Sequence, residues 1–172
     1  VVLVVNLSRT HDRGAEREVA LLLAVVDHVV DDCVAPLRDG GVYDLRSYSD
    51  AAQSAGYTAH LMDPARRRAC FAAWSPSTKI LFGYRWRQAD FPWMGVWEEN
   101  RVRQTPPWSG KTITRGMEFG VSPMPETRRA MIERGSLFGV PSYRWAPARG
   151  SITVAYEAFI EVSRDGPTDL SC

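Results

Sequence analysis

The feature that most constrains this chain is a period of two in Ile80-Leu81-Phe82-Gly83-Tyr84-Arg85-Trp86-Arg87. Ile80, Phe82, Tyr84 and Trp86 take alternate positions, and Arg85 and Arg87 fall between them. Successive side chains of a strand point to opposite faces, so this spacing predicts a strand with one buried face. The same period recurs in Ile152, Val154, Tyr156, Ala158 and Ile160, with Thr153, Glu157 and Glu161 opposite. It recurs again in Ile113, Arg115, Met117 and Phe119 against Thr112, Thr114 and Glu118. Proline and glycine punctuate the gaps at Pro106-Pro107, Ser109-Gly110, Pro123 to Pro125 and Pro141, as turns require. A short helix is predicted from Pro125 through Arg134, because proline suits a helix start and Gly135 suits its end. The expectation is a mainly β, antiparallel fold.

The first 34 residues differ in texture: Val, Leu, Ala and Asp dominate, and no aromatic residue occurs before Ala35. Val1–Leu7 reads as a strand of β-branched residues. Val19, Leu22, Leu23, Val26, Val29 and Val30 recur at three- and four-residue intervals, a spacing that predicts a helix after the lead-in Ala15-Glu16-Arg17-Glu18. Three segments result: an atypical N-terminal segment over 1–34, an antiparallel β region over 35–163, and a polar tail over 164–172.

Composition narrows the classes. Lys and Arg total 21 against 20 for Asp and Glu among 172 residues, a balance that excludes a charge-driven coat on nucleic acid. Arg outnumbers Lys 19 to 2, and Arg101 to Arg149 is locally basic with interleaved Trp and Tyr; without net charge, no nucleic-acid partner is expected. The longest apolar run, Val19 to Val26, is far short of the about 20 residues a membrane span needs, so no membrane partner is expected. VVLVV lacks the basic lead and the cleavage pattern of a signal peptide. The first residue is Val, so the chain is either cut from a longer one or begins at an alternative codon. Cys33, Cys70 and Cys172 stand at no metal or redox spacing. Free thiols and a cytoplasmic location are the expectation, with no metal and no cofactor. Nothing in the residues assigns an oligomeric state.

Chemistry concentrates in two strings. In Asp90-Phe91-Pro92-Trp93-Met94-Gly95-Val96-Trp97-Glu98-Glu99-Asn100, an extended backbone puts Trp93, Gly95, Trp97 and Glu99 on one face, and Met94, Val96, Glu98 and Asn100 on the other. Flat indoles beside a carboxylate and a glycine make a shallow wall on which a sugar ring stacks while polar groups take its hydroxyls. The alternative is that the rings are packing and the glutamates solvate a rim. In Thr112-Ile113-Thr114-Arg115-Gly116-Met117-Glu118-Phe119-Gly120, Glu118 lies between large apolar neighbours. Desolvation there would raise its pKa and suit it to proton transfer; a partner such as Arg115 would instead make it structural. His11 reads as part of a polar turn, and His28 as surface or structural. His60, near strand-forming residues, is the histidine placed to reach a site. No G-x-S-x-G elbow and no phosphate-cradling glycine loop occurs.

The string from Gly83 to Asn100 (GYRWRQADFPWMGVWEEN), with Trp108-Ser109-Gly110-Lys111 and Thr114-Arg115-Gly116-Met117-Glu118-Phe119-Gly120-Val121-Ser122-Pro123, resembles the galactose mutarotase-like superfamily of aldose 1-epimerases and related sugar-binding proteins. The likeness spans about residues 36–161 and is nearest to poorly characterised bacterial members. It implies a large antiparallel β-sandwich binding a sugar on a concave face, here incomplete at the N-terminus because the family fold exceeds this chain. It also implies a carboxylate base at the anomeric hydroxyl and a histidine acid at the ring oxygen. The family's Gly-Glu before the last strand is replaced by Trp145-Ala146-Pro147-Ala148-Arg149-Gly150-Ser151. None of the three histidines stands in the context of the family's catalytic acid; the catalytic set expected here is Glu118, Glu99 and His60, and the expected sugar-binding set is Trp93, Trp97, Glu98, Asn100 and Arg115. The partner is a small-molecule sugar. Two functions follow from the resemblance, an aldose 1-epimerase or a sugar-binding module without turnover.

Overall fold

Alternation along the aromatic strings generates strands whose hydrogen bonds close two antiparallel sheets. The computed structural model describes residues 2–6, 22–26, 34–36, 42–44, 54–75 and 77–164, with side chains from 55 onward within those ranges. The strands are β1 (Val2–Asn6), β2 (Leu22–Val26), β3 (Val34–Pro36), β4 (Val42–Asp44), β5 (Ser54–Leu61), β6 (Arg68–Ser75), β7 (Ile80–Arg87), β8 (Trp93–Asn100), β9 (Ile113–Gly120), β10 (Ser136–Leu137), β11 (Val140–Pro141) and β12 (Tyr156–Val162). The helix α1 (Arg128–Arg134) lies between β9 and β10. The five-stranded sheet runs β2-β1-β5-β8-β9 and the three-stranded sheet β12-β7-β6, while β3-β4 and β10-β11 are small pairs. All pairings are antiparallel. The fold is mainly β.

The sheets meet across an aromatic layer. Phe119 of β9 stacks on Trp86 of β7 with ring centroids 4.5 Å apart, and contacts Tyr84, Phe91 and Tyr156. Phe71 completes the layer against Tyr84 and Trp86, and Met94 and Met117 pack on it from the larger sheet. The Trp86 indole N–H donates to the Phe91 carbonyl at 2.8 Å, so this buried ring leaves no polar atom unsatisfied. Arg87 grips both oxygens of Asp90, which closes the turn that delivers the chain from β7 into β8.

Against the other face of β5 and β8 lies a hood built from the chain after β9. Thr127 caps α1, its hydroxyl accepting the Ala130 N–H, and Gly135 ends the helix at φ 70°. The Ser142 hydroxyl donates to the carbonyls of Met131 and Gly135, tying β11 to the end of the helix. Phe138 and Gly139 both have positive φ, the geometry of a two-residue hairpin turn. That turn points Phe138 at Trp93, with centroids 6.4 Å apart.

Several expectations change. Leu22–Val26 is a strand paired with β1, where helical spacing had predicted a helix. Its valines lose rotamer freedom in a helix and fit a pleated surface better; the rest of the predicted helix, His11 and His28 lie outside the described residues. The helix expected from Pro125 begins at Arg128, behind its Thr127 cap. The last strand begins at Tyr156, and Tyr156, Ile160 and Val162 are exposed, as are Ile80 and Phe82 beside them. The aromatic layer covers only the Tyr84–Trp86 end of this sheet. Cys70 is disulfide-bonded, its partner outside the described residues, which replaces the free thiol expected there. Among the described residues no helix is long and apolar enough to cross a membrane, and no group of three or more His, Cys, Asp or Glu is placed to hold a metal ion.

Candidate functional site

The register of β5, β8 and β9 decides which candidate residues can meet. Tyr57 pairs with Trp97, Ala59 with Gly95, and Leu61 with Trp93; Gly95 pairs with Glu118, Trp97 with Gly116, and Glu99 with Thr114. Residues directly opposite in an antiparallel pair share a face. Trp93, Trp97, Glu99 and Glu118 therefore share one face, as the alternation of β8 predicts for its three members. His60, Glu98, Asn100 and Arg115 lie on the reverse face.

The four residues of the first face play different parts. Trp93 is 1% exposed and sealed among Leu61, Leu137, Phe138 and Val140, so it is core and not the stacking wall expected of it. Glu99 is 0% exposed. Its Oε1 accepts the backbone N–H groups of Val102 and Arg103, and its Oε2 accepts Arg103 Nη1, all at 2.8 Å. These bonds commit the carboxylate to folding the loop after β8, which excludes it as a free base. Trp97 is half-buried, and its ring meets Trp108 at 5.3 Å. The Arg103 guanidinium, oriented by Glu99, lies over both indoles at 5.2 and 5.7 Å, an arrangement that fixes ring and loop together.

Glu118 is exposed, so the desolvation expected for it is absent. Alternation explains this: its apolar neighbours Met117 and Phe119 turn to the opposite face, into the aromatic layer. Arg115, a candidate partner for it, instead donates from Nε to Glu98 Oε1 at 2.6 Å, with Nη2 in contact with the same oxygen. Among the described residues no cation pairs with Glu118.

Two glycines clear the floor around that carboxylate. A Cβ on Gly116 would sit 3.5 Å from the Trp97 ring and 3.7 Å from Glu118 Oε1. A Cβ on Gly95 would fall 2.1 Å from the Tyr57 hydroxyl, so the phenol lies where any larger residue would place its side chain. Tyr57 is thus a site residue missed from the sequence. Within Tyr57-Thr58-Ala59-His60 its role becomes visible only once β5 is set beside β8. Burial, with the Glu118 charge adding to it, pushes the Tyr57 phenol up to about 12.

The reverse face does not contribute to this strip. His60 is 4% exposed, its Nε2 lies 2.9 Å from Thr58 Oγ1, and burial lowers its pKa to about 4. It is a neutral structural histidine, which corrects its expected place among the catalytic residues. Glu98 and Asn100 are also buried on that face, with Arg115 tied to Glu98, so these three sugar-binding candidates stand apart from Trp97 and Glu118. The strip that remains is open, floored by Gly95 and Gly116 and carrying Tyr57, Trp97 and Glu118. The Met124–Phe138 hood bounds one end, and the Arg103–Trp108 loop bounds the other. No family model, curated protein or solved structure matches this chain.

Proposed function

We propose that this strip binds an aldose and interconverts its anomers. The observation that carries the reading is an exposed carboxylate, Glu118, with no ion-pair partner among the described residues, set beside a rigid indole. Carboxylates on a protein surface rich in arginine are readily paired, as Glu133 and Glu157 are here. A lone one against an aromatic plate matches a pyranose, whose C–H face packs on the ring while its hydroxyls donate to the carboxylate. Trp97 is the plate, with Trp108 tilted against it. Glu118 is the base for the anomeric hydroxyl, accepting that proton as the pyranose opens. The antiparallel sheets and the resemblance in the two Trp/Glu strings support a sandwich of the galactose mutarotase-like type.

A second reading, sugar binding without turnover, is favoured by the position of His60: the one described histidine lies on the reverse face. Optical rotation of freshly dissolved α-glucose and α-galactose separates the two. Acceleration proportional to protein concentration, abolished in a folded Glu118→Gln variant, is expected. Uncatalysed rates at high protein concentration, with sugar-dependent tryptophan fluorescence intact, would leave the binding module. If fluorescence also fails to respond to either sugar, the carbohydrate reading is lost.

A further inference from the structure

The catalytic reading requires a proton donor for the ring oxygen, and the described histidine is on the wrong side of the sheet. We propose that Tyr57 is that donor, its phenol and the Glu118 carboxylate forming an acid–base pair across β8. This inference rests on the aldose reading above and names the missing half of its chemistry.

The placement follows from register and reach. Tyr57 belongs to β5 and Glu118 to β9, with β8 between them. The Tyr57 ring crosses that gap and rests its hydroxyl over Gly95, the residue directly opposite Glu118. Hydroxyl and carboxylate then approach from neighbouring strands, which lie about 4.8 Å apart. Hydrogen bonds of about 2.7 Å from each group can converge on neighbouring oxygens of one pyranose. Among the described residues nothing hydrogen-bonds the Tyr57 hydroxyl, so its proton is uncommitted. Tyr57 packs against Ala59, as do Met124 and Phe138.

The step balances without a cofactor. Glu118 takes the proton of the anomeric hydroxyl, whose O–H electron pair becomes the second bond of the new carbonyl. The bond from the anomeric carbon to the ring oxygen breaks with its pair on oxygen, and that oxygen takes the Tyr57 proton. The products are an open-chain aldehyde, a neutral carboxyl and a phenolate. After rotation beside the carbonyl the same transfers run backwards and close either anomer. The two transfers assist each other. Negative charge on Glu118 keeps Tyr57 protonated while substrate binds, and loss of that charge on proton uptake lowers the cost of forming the phenolate.

The test uses the whole chain and the two free sugars. Tyr57→Phe keeps the ring and its packing and removes only the proton. The expected result is a fall in kcat of at least 100-fold, with KM within about threefold and tryptophan fluorescence still responding to sugar. A second, activity-independent readout is the phenol itself. Ultraviolet difference titration of wild type and Glu118→Gln, each with its Tyr57→Phe counterpart subtracted, should show the Tyr57 pKa lower in the glutamine variant. Wild-type turnover that survives Tyr57→Phe would overturn the proposal while leaving the aldose reading in place. A wild type that turns over neither sugar would defeat the catalytic reading itself, and this proposal with it.

Discussion

At the scale of single residues, three carboxylates and one imidazole that look interchangeable in the sequence have separate physical fates. Glu99 is consumed by two backbone N–H groups and Arg103, Glu98 by Arg115, and only Glu118 meets solvent. His60 is the fourth case, and its burial has a consequence for stability. In the unfolded chain its imidazole binds a proton as pH falls through 6.5, while in the fold burial delays this to about 4. Within that window the unfolded chain holds more protons, so falling pH favours unfolding. The contribution is complete above about pH 6.5 and is lost progressively towards pH 4. Its size is on the order of 3 kcal/mol, from the gap between the two pKa values. Urea midpoints measured at pH 7, 5.5 and 4.5 should fall steeply for wild type and more shallowly for His60→Gln. Equal slopes in the two proteins would mean that His60 is protonated within the fold.

At the scale of strands, two glycines with equally close neighbours should respond differently to the same substitution. A Cβ on Gly83 would meet the Phe71 carbonyl oxygen at 2.2 Å and the Phe159 ring at 2.6 Å. The first of these belongs to the backbone of the paired strand β6, so Gly83→Ala must separate β6 from β7 or break their ladder. It should cost about 3 kcal/mol, at the upper end of overpacking effects. A Cβ on Gly95 meets only the tip of Tyr57, which can swing aside. Gly95→Ala should therefore cost roughly 1 kcal/mol and displace the phenol from the strip, lowering turnover more than stability. Thermal melts of the two variants check the contrast, and a Gly95→Ala variant as unstable as Gly83→Ala would contradict it. These contacts mark the limit of what alternation reveals. The period of two placed Trp93, Trp97 and Glu99 on one face, because that is a property of one strand. It could not reveal that Glu118 joins them, that Trp93 is sealed under Phe138, or that Tyr57 reaches over Gly95. Each of those depends on register between strands or on the hood, which neighbours in sequence do not encode. Helical spacing misled at Leu22–Val26 for a related reason: pairing with β1 outweighed the intervals between apolar residues.

At the scale of the whole molecule, one aromatic layer joins the sheets near β8 and β9 and leaves the Ile80, Phe82, Ile160 and Val162 end of the smaller sheet exposed. The strip lies on the opposite face of β8 and β9 from that layer. Phe119 and Glu118 are therefore adjacent in sequence yet serve the two sides, one anchoring the sheet and the other free to meet a ligand. The disulfide at Cys70 belongs to this scale too, because it is a covalent tie on β6, a strand of the layer. Bridges of this kind persist in oxidising surroundings and are rare in the cytosol, so the bridge weighs against the reducing compartment read from cysteine spacing alone. The chain has 3 cysteines, and a single bridge between two of them leaves one thiol. Protein purified without reductant and denatured in guanidinium should therefore release about one equivalent of thiol to a chromogenic disulfide reagent. The same protein reduced beforehand should release all three. Three equivalents without prior reduction would show that Cys70 carries a free thiol in the isolated protein, and would restore the reducing compartment that its spacing suggests.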